Sequence, residues 1–90
     1  MTLEKKLTIV NKLGLHARAA TQLAKLANQF DATITLHQGE KEAFANSVLA
    51  LMMLESSQGK EVLLKCDGPD AQNALDAIEH LISNKFNEDE

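Results

Sequence analysis

A chain of 90 residues, 44% hydrophobic and 24% charged, is enough for one domain (1–90) and one core, and too short for two. Its net charge of −4, with no basic run carrying interleaved aromatics, excludes an ordinary nucleic-acid binder. No apolar run approaches the ~20 residues of a membrane span, Met1-Thr2-Leu3-Glu4-Lys5-Lys6 lacks a signal-peptide apolar region, and the single cysteine suits a reducing compartment. A cytoplasmic protein is therefore expected.

Leu3 to Val10 reads as a strand, with Leu7 and Ile9 on one face and Lys6 and Thr8 on the other. Asn11-Lys12-Leu13-Gly14 forms a loop. From Ala17 to Phe30 the residues Ala20, Leu23, Ala24, Ala27 and Phe30 recur at helical spacing. Ala32 to His37 alternates again as a strand, and Gln38-Gly39-Glu40 predicts a hairpin turn into a short charged strand at Lys41 to Ala45. Asn46 or Ser47 is the natural N-cap of a short helix reaching Leu54. That helix is apolar nearly all round. In register, Val48, Leu51 and Leu54 face inward while Leu49, Met52 and Met53 face out as a docking patch; full burial is the other reading. Lys60 to Cys66 supplies a fourth strand with Val62, Leu64 and Cys66 inward. A last helix from Asp70 to Lys85 carries Ala71, Ala74, Leu75, Ile78, Leu81 and Ile82 on one face, and Asn87-Glu88-Asp89-Glu90 is expected to fray.

The order is β-α-β-β-α-β-α. Alternation on every strand predicts an α+β domain, an antiparallel sheet with helices over its apolar face and its other face wet. A ferredoxin-like sandwich with an added helix fits the same pattern.

The chemistry concentrates at Gly14-Leu15-His16-Ala17-Arg18. Helix N-termini leave unpaired amides and the positive end of the macrodipole, a setting suited to phosphate. His16 adds a nucleophilic ring nitrogen there, Arg18 a planar cationic fork, and the amides of Ala17 and Arg18 open toward the site. A phosphoryl group accepted by His16 and held by Arg18 is one reading. A strand-to-helix corner with an exposed histidine is the other. His37 and His80 read as surface residues, and no His or Cys spacing suggests a metal site. With no nucleotide-binding loop, cofactor or acid–base carboxylate pair evident, a phosphoryl group would have to arrive already activated.

Gly14-Leu15-His16-Ala17-Arg18, followed by Asn46-Ser47 and an apolar helix, resembles the histidine-containing phosphocarrier family, HPr. The likeness extends through Glu55 to Gly59 and the Gly68 turn. Ala45 to Leu54 and the acidic tail are most similar to the nitrogen-related branch, NPr. Ala19 stands where the family usually has proline, and as the best helix former it should preserve the helix. The resemblance implies an open-faced sandwich of four antiparallel strands with three helices on one face. It also implies His16 as the carrier, through Nδ1, with Arg18 stabilising the phosphoryl group and Ser47 as a regulatory position. The implied partners are an acidic enzyme I-type donor, an EIIA-type acceptor and, where one exists, a serine kinase or phosphatase, with the chain a monomeric transfer intermediate rather than a free-standing enzyme. A regulatory module of the same fold that only docks, or a small-molecule sensor domain, are the alternatives.

Overall fold

A computed structural model describes residues 1–88. Four strands, β1 (Thr2–Thr8), β2 (Thr33–Gln38), β3 (Lys41–Phe44) and β4 (Glu61–Asp67), form one sheet in the order β1-β4-β2-β3. Every neighbouring pair is antiparallel. Three helices, α1 (Ala17–Ala27), α2 (Val48–Met53) and α3 (Ala71–Ser83), complete the domain. The central strands β4 and β2 alternate cleanly, so Val62, Leu64 and Cys66 join Ile34 and Leu36 in the core. Exposed Thr33 and Glu61 with half-buried Thr35 and Lys65 make the opposite, wetter face. Helix α3 packs on β1 and β4, and α1 packs on α2 and α3. The core is aliphatic apart from Phe86, as a chain with three phenylalanines and no tryptophan or tyrosine requires. No helix among the described residues is long and apolar enough to cross a membrane.

The element boundaries differ from the sequence reading for local reasons. Strand β1 ends at Thr8 because Ile9 leaves the β1–β4 ladder to exchange hydrogen bonds with the 59–60 loop, its N–H donating to Lys60 O (2.9 Å) and its carbonyl accepting from Gly59 N (2.8 Å). Helix α1 stops at Ala27 rather than Phe30. Its last amides shift to i→i−3 bonds, Gln29 N to Leu26 O (3.0 Å) and Phe30 N to Ala27 O (3.4 Å), a tightening common at helix ends. Asp31 and Asp70 then lock the turn to the start of α3, with Asp31 N donating to Asp70 Oδ2 (2.7 Å) and Asp70 N to Asp31 O (3.1 Å). Phe44, the last residue of β3, faces solvent.

The largest departure is at the C-terminus. The chain does not fray at Asn87. After α3, Lys85, Phe86 and Asn87 all take left-handed backbone angles, with φ of 57°, 55° and 61°. Such a turn is costly for residues with a Cβ and persists only where the surroundings over-determine it. Phe86 is fully buried within it, and Glu88, the residue after the turn, is brought back against His16. The fraying expected for Asp89 and Glu90 lies outside the described residues.

Candidate functional site

The loop that carries His16 is held against the 56–60 segment. Leu15 N donates to Ser56 O (2.9 Å), and Leu15 itself is buried. Gly14 has a φ of +66°, and a Cβ placed there would lie 2.5 Å from Ser56 O and 2.9 Å from Ser57 Cα. Both the backbone angle and the close approach require glycine. Ser56 is buried and donates its hydroxyl to Gln38 Oε1, tying the same segment to the sheet. The turn is closed internally by Asn11, whose carbonyl accepts from Gly14 N (3.2 Å) and whose Nδ2 donates to Gly14 O (2.8 Å).

His16 is the N-cap of α1, with extended backbone angles and a carbonyl that accepts from Ala20 N (2.8 Å). Its imidazole makes no capping bond, and the first turn of α1 holds no acidic side chain. The first amides of the helix, those of Ala17 and Arg18 among them, therefore remain a local positive end with no side-chain acceptor among the described residues. Arg18 lies in this first turn and is exposed. Ala19 is fully buried and the helix begins at Ala17 without the usual proline.

Two residues that the sequence reading missed complete the site. Glu88 brings its carboxylate to Nε2 of His16 through Oε2, and its Oε1 accepts from Asn11 Nδ2 (3.1 Å). Desolvation would raise the Glu88 pKa, but hydrogen bonds from His16 and Asn11, and the charges of His16 and Arg18, outweigh it and hold the carboxyl below its usual range. Asn11 is fully buried. The Asn-x-x-Gly spacing hinted at its turn, and Phe86 just beyond the last helix hinted that the tail is anchored. Neither pattern identifies a contact with His16.

On α2, which packs against α1, Leu49 is 70% exposed, Met52 40% and Met53 64%, and Leu13 of the His16 loop is 67% exposed. Leu51 and Leu54 are buried and Val48 half-buried beneath them. Ser47, rather than Asn46, is the N-cap of α2, its Oγ accepting from Ala50 N at 3.2 Å. His37 is half-buried and bonded to Thr35 Oγ1 (3.0 Å), while His80 is exposed and contacts Asn84, so both are engaged away from the site.

The family model for the PTS HPr component phosphorylation site matches residues 3–84. This chain belongs to the HPr phosphocarrier family. It is 60% identical to the phosphocarrier protein NPr of Shewanella violacea over 96% of this chain and 94% of that one. It is 43% identical to the phosphocarrier protein HPr of Cupriavidus necator, over 98% of this chain and 99% of the other. The fold superposes on the crystal structure of HPr-C-His from Thermoanaerobacter tengcongensis with a TM-score of 0.93 at 36% identity, covering 98% of this chain and 99% of that one. The HPr architecture, four antiparallel strands with three helices, is thus the architecture of this chain, and the ferredoxin-like alternative is set aside.

Proposed function

We propose that this HPr-family protein carries a phosphoryl group on Nδ1 of His16. The observation that carries the reading is local: a histidine stands at the N-terminus of α1 with no side-chain cap, and an exposed arginine lies in the first turn. In the transfer, the Nδ1 lone pair forms the N–P bond as the bond from phosphorus to the donor breaks, its electron pair returning to the donor. The amides of Ala17 and Arg18 and the Arg18 guanidinium face the phosphoryl oxygens, where charge-assisted hydrogen bonds are strongest. On delivery the same bond breaks and Nδ1 regains its pair.

The donor we infer is an enzyme I-type phosphotransferase and the acceptor an EIIA-type protein. The 60% identity to a protein named NPr supports the nitrogen-related branch. Docking is assigned to Leu49, Met52 and Met53, and Ser47 at the head of the same helix is the regulatory position. The test is incubation with phosphoenolpyruvate and the nitrogen-branch enzyme I, read by intact mass. Wild type is expected to gain one acid-labile, alkali-stable phosphoryl group, and His16→Ala, folded normally, none. A protein that binds enzyme I and never gains mass would instead be a docking module.

A further inference from the structure

We propose that Glu88 is a positioning residue for His16, its carboxylate accepting a hydrogen bond from Nε2–H and so keeping Nδ1 as the nucleophile. The inference rests on the carrier reading above. Glu88 is ionised in this setting, and an ionised carboxylate can only accept. The contact to Nε2 therefore requires a proton on Nε2 in the charged and the neutral ring alike, and when the ring is neutral the lone pair is left on Nδ1. The Glu88 side chain is 5% exposed and that of His16 25%, so water competes weakly for the carboxylate while the ring keeps an open side.

Two features hold the carboxylate in place. Asn11 Nδ2 donates to both Gly14 O and Glu88 Oε1, which fixes the orientation of its amide, since the reverse orientation would set oxygen against two acceptors. The consequence is that Asn11 Oδ1 is buried without a hydrogen-bond partner among the described residues. A buried acceptor left unsatisfied is uncommon and calls for a reason. Here the amide donor is committed to the carboxylate that meets His16. The second feature is the left-handed turn at Lys85–Asn87, anchored by buried Phe86, which aims Glu88 at the site. Strain concentrated where a side chain meets a reactive group is the pattern expected of a positioned contact.

The contact is on Nε2 and not on the nitrogen that takes the phosphoryl group, so it is compatible with both states of the carrier. As Nδ1 forms the N–P bond and the donor's bond breaks, the Nε2 proton stays on the ring. The positive charge that develops across the imidazole is met by the Glu88 carboxylate, the arrangement by which an orienting acid supports a histidine in other catalytic sites. When the phosphoryl group leaves, the pair returns to Nδ1 and the ring is again neutral with its proton on Nε2.

Two readouts on the full chain test this. The ¹⁵N resonances of the His16 ring in the unphosphorylated protein report the tautomer directly. Wild type should show Nε2 protonated and Nδ1 unprotonated, Glu88→Ala a mixture of the two tautomers, and Glu88→Gln, which keeps an acceptor oxygen, a pattern close to wild type. In the phosphoenolpyruvate and enzyme I assay, Glu88→Ala should accept phosphoryl about tenfold more slowly, the loss of one charge-assisted hydrogen bond, and Glu88→Gln should recover part of the rate. An unchanged tautomer pattern in Glu88→Ala, or a rate equal to or faster than wild type, would overturn the positioning role. A wild type that gains no phosphoryl group overturns the carrier reading instead.

Discussion

Arg18 is the residue whose chemistry can be separated from its packing. It is exposed in the first turn of α1, so its removal should leave the fold alone. A hydrogen bond to a charged group contributes about 1.5–3 kcal/mol, which corresponds to a tenfold or greater effect on transfer. Lysine keeps the charge and loses the fork. Arg18→Lys is therefore expected to slow phosphorylation modestly and Arg18→Ala by about tenfold or more, with thermal midpoints within a degree or two of wild type by the usual behaviour of surface substitutions. Stopped-time mass measurements with enzyme I distinguish the three proteins, and equal rates would make Arg18 a solvated surface residue. At the same scale, Gly14 was legible as a turn glycine from sequence. Its contact with Ser56 and Ser57, which brings two distant loops together at the site, was not.

At the scale of elements, α2 is the informative helix because it is six residues long and has no polar face of its own. Such a helix depends on tertiary contacts, and Leu51 and Leu54 provide them from its buried side. Leu49→Asp places a charge in solvent and should leave stability near wild type, while transfer from enzyme I weakens severalfold or more as an apolar anchor is lost. Leu51→Asp puts an unpaired carboxylate into the core and should destabilise by 4–5 kcal/mol or more, on the order of the largest single-site effects. Urea denaturation and the transfer assay, run side by side, read both. Ser47→Asp extends the comparison. Aspartate is a good N-cap, so the helix is retained, and its charge meets the acidic donor that the family likeness implies. Its effect should fall on association and shrink as salt is raised toward a screening length of about 8 Å or less. Indistinguishable rates at low salt would leave Ser47 as a cap alone.

For the molecule as a whole, Cys66 offers an internal reporter. It sits on β4 between β1 and β2, paired with Leu3 and Ile34, and is fully buried. Burial pushes its thiol up to about 11, so at neutral pH it is a protonated and inert small hydrophobe. Thiol-reactive reagents should label it only through opening of the central sheet. The labelling rate in native buffer is expected to be slower than in urea by several orders of magnitude, tracking the global stability. Rapid native labelling would mean that the sheet opens locally at β4.

The sequence by itself determined the strands, the helices and the candidate site, because each depends on short-range rules. Val62, Leu64 and Cys66 declare a strand by period two, and Ala20, Leu23, Ala24 and Ala27 declare a helix by period 3.6. Gly14, His16 and Arg18 place a turn, an imidazole and a cation at a helix start within five residues. Ser47 and the exposed side of α2 followed from capping and register. The strand order β1-β4-β2-β3 needed the tertiary structure, since pattern alone does not say which strands lie side by side. So did the fate of the tail. A run of acidic and polar residues reads as solvated by composition, and only the burial of Phe86 beside α3, with Asn11 and His16 waiting 77 and 72 residues away in sequence, turned Glu88 inward. Contacts of that separation leave no local periodicity, because the loop-closure entropy they cost is met by the assembled core and not by the segments that touch.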